Sequence, residues 1–198
     1  MPANPALRDH LLTRRSVGPA FLGEPGPDAE ALRTLLTIAT RVPDHGKLAP
    51  WRLVLFSGEA RRRAGEGLAE ILQRRQPDMD EASLEVERNR FLPAPLTVGV
   101  ISTARPHVKI PELEQLLSAG NVAFNLVHGA HALGFAAQWV TRWFSFDAEA
   151  AAMLGAKPGE QFVGFVHIGT PTATMEDRPR PDLDDIVTAW APPAERLG

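Results

Sequence analysis

Apolar residues recur every three to four positions over long stretches of this chain, and close up into unbroken runs at a few others. Leu32, Leu35, Leu36 and Ala39 follow the i, i+3, i+4, i+7 pattern of one helix face between residues 28 and 41. Asp28 is placed to cap that helix. Pro43 ends it by keeping Val42 out of helical angles. Pro5 to Arg14 reads as a short helix with Leu7, Leu11 and Leu12 on one side. Glu59 to Arg74 is amphipathic, with Leu68, Ile71 and Leu72 inward, and Asp80 to Arg90 is a second charged helix facing solvent. Arg52–Ser57, Leu96–Ser102, Ala136–Thr141 and Phe162–Gly169 read as strands, the second and fourth apolar enough to be buried on both faces. Asp147–Leu154 reads as a short helix.

The dominant element is predicted over Glu112 to Leu133. Leu113, Leu116, Leu117, Gly120, Phe124 and Val127 form one apolar stripe, and Val122, Leu126, Ala130 and Leu133 form another. A helix apolar on most of its circumference is enclosed by something. A short chain covers it poorly, which implies a partner subunit. From Thr170 the chain is proline-rich and acidic, with Asp185–Trp190 as a candidate strand. An arm this long and this apolar at its end is expected to dock on a neighbouring subunit. Helices and strands interleave around a central sheet, which gives an α+β or mixed α/β class.

The chain has 198 residues with 44% hydrophobic content, enough for one domain with a substantial core. A net charge of −3 offers no footprint for nucleic acid. No cysteine occurs, so disulfides, thiolate nucleophiles and cysteine metal sites are excluded. The absence of disulfides agrees with a cytoplasmic location. No apolar stretch is long enough to span a membrane, and the first residues lack the apolar segment of a secretory signal.

Three segments carry candidate chemistry. Arg14-Arg15-Ser16 is either a phosphate clamp, with guanidinium forks on phosphate oxygens, or a solvated helix end whose arginines sit near terminal carbonyls. Arg41-Val42-Pro43-Asp44-His45 follows a helix end. Arg41 can aim its planar fork at the acceptors of a heterocycle and stabilise negative charge on a reduced ring. Alternatively Asp44 and His45 merely cap a turn. Trp139-Val140-Thr141 follows the small residues after Gly134, where a flat ligand can approach the backbone or a helix simply gives way to a strand. Phe124, Trp139, Trp143 and Phe144 are candidates to shape an apolar stacking slot, with Phe124 also suited to the core. His128 and His131 lack a carboxylate at helical spacing to complete a metal site. Neither a Gly-x-Gly-x-x-Gly turn nor a P-loop occurs. A phosphate grip without a dinucleotide fingerprint points to a mononucleotide cofactor.

The ordered set Arg14-Arg15-Ser16, Arg41-x-Pro-Asp-His45, Pro50-Trp51, Ser118-Ala-Gly120, Gly134-Phe135 with Trp139, and Val163-Gly-Phe165 with Gly169-Thr-Pro171 resembles the short branch of the nitroreductase family of FMN-dependent oxidoreductases. The resemblance implies a single domain over residues 1–198 with an extended arm from about 170. Its fold would be α+β, a central mixed sheet flanked by helices, with the long helix buried at the interface of an intertwined homodimer and the arm wrapping the partner. Arg14, Arg15 and Ser16 would bind the phosphate and ribityl end of FMN, helped by Arg178 or Arg180. Arg41 and His45 would contact the ring or ribityl chain, and Trp139, Val140 and Thr141 would line the flavin from the partner subunit. The implied activity passes electrons from NADH or NADPH through FMN to a nitroaromatic or quinone in ping-pong order. The flavin carries the hydride chemistry and no side-chain catalyst is expected. Same-fold alternatives are reductive dehalogenation, ring dehydrogenation, flavin fragmentation, or FMN binding without turnover. The family's loop Pro-Ser-x-x-Asn-x-Gln-Pro-Trp is altered here to Asp44, Lys47 and Ala49.

Overall fold

The structure, a computed structural model, describes residues 2–192. It divides into two compact units, Ser16–Thr174 and a smaller one made of the two termini, up to Arg15 and from Met175 on. In the smaller unit, α1 (Pro5–Thr13) is capped by the Asn4 side chain, which accepts from Leu7 N. α8 (Leu183–Ile186) is a single turn capped by Asp182. The strand expected over Asp185–Trp190 does not form: the Asp182 cap sets a helical turn across its start, and Val187–Trp190 continues without a strand partner among the described residues.

The larger unit is built on a five-stranded sheet. Its strands are β1 (Leu22–Gly23), β2 (Trp51–Ser57), β3 (Leu96–Ser102), β4 (Ala136–Val140) and β5 (Gln161–Pro171), and its helices are α2 (Ala29–Ala39), α3 (Glu59–Arg75), α4 (Glu81–Arg88), α5 (Glu112–Ala132), α6 (Trp143–Phe146) and α7 (Ala148–Met153). β2 pairs with β3, β3 with β5, and β5 with both β4 and β1 on its other side. Every one of these pairings is antiparallel, whereas a mixed sheet was expected. Topology supplies the reason. α3 and α4 carry the chain out and back, so β3 re-enters beside the end of β2, with Leu96 opposite Ser57. A single helix, α5, links β3 to β4, and these two do run parallel. β5 inserts between them and leaves no parallel neighbours.

Side chains of the sheet sort into two cores. Leu96, Val98 and Val100 join Val166, Ile168 and Ala137 beneath Val122, Leu126 and Ala130 of α5 and Leu35 and Ala39 of α2. On the opposite face Phe56, Phe91, Phe144, Phe162 and Phe165 form an aromatic cluster against Leu68 and Ile71 of α3. Gly99 makes this cluster possible, because a Cβ there would lie 2.8 Å from the Phe162 ring and 3.3 Å from those of Phe56 and Phe165. All seven β3 residues are buried, as its apolar run predicts.

One helix departs from expectation. α4 was expected to face solvent, yet it buries Leu84 and Glu87. Gly65 lets it approach α3 closely enough that a Cβ would meet the Arg88 carbonyl at 1.9 Å. α5 is buried along Ser118, Val122, Leu126 and Ala130, while its other stripe stays open: Leu113, Leu117 and Phe124 are 65%, 59% and 46% exposed.

Candidate functional site

Arg14 and Arg15 directly follow α1 in the terminal unit. Arg178 and Arg180, in the same unit, lie close enough to Arg14 for their charges to act on it. The Arg14 guanidinium is held below its ordinary range, first by burial and then by repulsion from Arg180, Arg15 and Arg178. Its Nε is buried with no hydrogen-bond partner among the described residues. The cluster is weakly neutralised. Arg15 donates to the Glu176 carbonyl and lies 3.8 Å from Asp177, which also sits 3.4 Å from Arg180. Of these four guanidiniums, Arg15 and Arg180 share the one carboxylate of Asp177, and Arg14 and Arg178 have no ion pair among the described residues, an arrangement that gains from a multiply charged anion. Helix-end arginines at 14 and 15 are visible in sequence; that both Arg178 and Arg180 reach Arg14 emerges only in three dimensions.

In the larger unit, the loop from Arg41 to Trp51 is braced by polar side chains of α5. Asn125 donates from Nδ2 to the carbonyls of Ile38 (3.2 Å) and Arg41 (3.0 Å). Ser118 Oγ donates to the Pro43 carbonyl at 2.5 Å, and His45 Nδ1 lies 2.7 Å from Glu114. These bonds tie down backbone that would otherwise be loose, and they leave the Arg41 guanidinium with no ion pair among the described residues. Glu114 and Asn125 were missed in sequence; their signal is polar spacing with Ser118 at i, i+4 and i+11, which places the three on one helix face.

Asp44 closes the loop by accepting from Leu48 N (3.1 Å) and Ala49 N (2.9 Å). The backbone it encloses is left-handed at Gly46, Lys47 and Ala49 (φ 72°, 57° and 45°). Each non-glycine residue there costs roughly 1 kcal/mol. The asparagine of the family pattern suits that conformation at position 47 better than lysine does. The Asp44 bonds compensate. A cavity of about 150 Å³ lies beside the loop, lined by Leu48, Pro50, Thr103, Arg105, His107 and Gln115.

Ser16 opens the larger unit and runs beside β4: Val17 N donates to the Ala137 carbonyl at 3.2 Å. The same strand carries Trp139 and Val140, with Thr141 just past its end. Trp139 packs against a bulge in β5, where Gly164 (φ 150°) takes a backbone angle that few other residues adopt. The indole Nε1 donates to the Val163 carbonyl at 3.3 Å, and a Cβ on Gly164 would lie 2.3 Å from that nitrogen. The structure therefore brings Ser16 together with Trp139–Thr141. Arg41 and His45 precede β2, a strand that β3 and β5 separate from β4 by about 14 Å at the usual strand spacing.

Of the other aromatic candidates, Phe144 belongs to the phenylalanine core and Trp143 donates its indole N–H to Glu87 at 3.1 Å. Phe124 is exposed and meets the His128 ring edge-on at 4.2 Å. Among the described residues no group of three or more His, Asp or Glu could hold a metal ion, and no helix is long and apolar enough to cross a membrane.

Comparison with known proteins agrees with this architecture. The profile of the Nitroreductase family matches residues 11–170. A Haemophilus influenzae protein named "Putative NAD(P)H nitroreductase" is 32% identical over 181 residues, covering 90% of this chain and 96% of its own length. Among solved structures, a nitroreductase-like family protein from Bacillus cereus superposes with a TM-score of 0.79 at 21% identity, covering 96% of this chain and 98% of that one. The FMN and NADPH-dependent nitroreductase NfnB from Sphigopyxis sp. strain HMH gives a TM-score of 0.67 at 19% identity, covering 93% and 98%.

Proposed function

The chain belongs to the nitroreductase family of oxidoreductases, and from that premise we propose that it is an FMN-dependent NAD(P)H oxidoreductase. Electrons would pass from NADH or NADPH to a nitroaromatic, quinone or related acceptor in ping-pong order. The working unit would be a cytoplasmic homodimer with its flavin sites at the interface.

The arginine cluster carries this reading. A buried Arg14 Nε without a partner, beside Arg15, Arg178 and Arg180, fits the terminal phosphate of FMN. Bound FMN would supply the hydride chemistry. The protein's own part is to hold, orient and shield it. Ser16 would add a hydroxyl to the phosphate and ribityl end. Arg41, unpaired and positioned by Asn125, would set a fixed positive charge against the electron-rich edge of the ring. His45 keeps Nε2 for a ligand, since Nδ1 faces Glu114.

The division between subunits would run differently from the one implied by the resemblance. Ser16 and Trp139–Thr141 share one side of one chain through the Val17–Ala137 bond, so both would come from one protomer and Arg41 and His45 from its partner. The open stripe of α5 supports the dimer. Burying Leu113, Leu117 and Phe124 would each gain roughly 1 kcal/mol or more.

The test is the visible spectrum of freshly purified protein, followed by anaerobic addition of NADH or NADPH. Yellow protein that bleaches on reduction and recovers with a quinone is expected. Yellow protein that resists both nucleotides would make this a binding module, and protein that takes up no FMN would remove the flavin reading.

A further inference from the structure

A second site lies on the sheet face opposite α5, between the end of α4 and the corner where β4 runs into α6. It is a cavity of about 140 Å³ with Val86, Val140 and Phe144 on its apolar side and Arg90, Arg142 and His167 on its polar side. His167 is 4% exposed, with Nδ1 2.8 Å from the hydroxyl of fully buried Thr97. Burial, with a smaller contribution from Arg142, pushes this imidazole down to about 4, so it is neutral at physiological pH. When Thr97 donates to Nδ1, the ring hydrogen sits on Nε2, which becomes a donor.

The charges around the cavity do not balance. Arg90 gives Nε and one terminal nitrogen to Glu87 at 3.1 and 2.6 Å and keeps its other terminal nitrogen. The second oxygen of Glu87 accepts the Trp143 indole at 3.1 Å, so both oxygens of that carboxylate are already engaged. Arg142 has no ion pair among the described residues. Two guanidiniums and a neutral imidazole donor therefore face one carboxylate that is already engaged.

We propose that this cavity binds a small monocarboxylate. Its carboxylate would take a fork from Arg142, a hydrogen bond from the free terminal nitrogen of Arg90 and one from His167, with a short alkyl group against Val86, Val140 and Phe144. The cavity volume falls below the ~300 Å³ at which drug-sized ligands begin, which suits a small ligand better than a flavin or a nicotinamide nucleotide. Two guanidiniums exclude a cation, and the apolar wall favours an alkyl carboxylate over inorganic phosphate.

Calorimetric titration of the purified full-length protein with sodium propionate at constant ionic strength tests the site, with inorganic phosphate as the competing probe. Saturable binding of propionate is expected, tighter than phosphate and weakened at least tenfold in Arg142→Gln. Val86→Trp, at a half-exposed position, would close the cavity without touching its charges and should abolish binding. A melting curve without propionate checks that each variant is folded. Equal affinity in wild type and both variants, no saturable heat, or phosphate binding tighter than propionate would each overturn the proposal. None of these readouts depends on flavin.

Discussion

Replacing Arg14 by Gln separates a ligand-binding cation from a structural one, because the two roles predict opposite signs. In the free protein the Arg14 charge is disfavoured: burial and three neighbouring guanidiniums lower its affinity for its proton. Removing that charge should leave the melting temperature of the FMN-free protein unchanged or raise it. In the FMN complex the same guanidinium would meet a phosphate dianion. A charge-assisted hydrogen bond is worth about 1.5–3 kcal/mol, so FMN affinity should fall by about 10- to 150-fold. Fluorescence titration of FMN against the flavin-free protein measures the loss, and calorimetry of the same samples measures stability. A variant that melts earlier without FMN yet binds FMN as tightly as the wild type would refute the reasoning, since Arg14 would then be holding the fold and not the ligand.

Further consequences follow from other parts of the molecule. Asn125→Ala removes both bonds that close the end of α2, leaving the Arg41 carbonyl without its donor while Ile38 keeps the Arg41 N–H; urea denaturation should show a loss of about 1–2 kcal/mol, with FMN affinity falling as Arg41 loses its placement. Gly65→Ala forces a methyl against the Arg88 carbonyl and must push α3 and α4 apart, a cost of at least about 2 kcal/mol by the same assay. His167 titrates at about 4 in the folded protein against an ordinary 6.5. Above pH 6.5 neither state binds the proton, but between 6.5 and 4 only the unfolded chain does, so stability should fall by on the order of 3 kcal/mol as pH drops through that window. A His167→Asn variant should lack this component of the pH dependence, and parallel stability profiles for the two proteins would contradict it.

Local rules made much of this fold legible. The cap at Asp28, the stripe of α2 and the run of β3 each depend on neighbours a few residues apart, and each element lies where its pattern places it. What sequence hid depends on distant partners. β1 is two residues long and exists because Leu22 and Gly23 find Pro171 and Thr170. α4 looks solvated until Gly65 admits it against α3. The candidate site follows the same division. Arg14-Arg15-Ser16 and the Pro43–Trp51 loop stand out as motifs, but the approach of Arg178 and Arg180 to Arg14, and of Ser16 to β4, joins residues more than a hundred positions apart.

The central claim is that one flavin site is assembled from two chains, with Ser16 from one and Arg41 from the other. Ser16→Glu and Arg41→Glu should each abolish FMN binding in their own homodimers. Co-expressed with different affinity tags and purified through both, they form a heterodimer in which one site carries both lesions and the other carries neither. The FMN content of that heterodimer decides the matter: one flavin per heterodimer is expected, whereas none would mean that both residues serve the same site from the same chain.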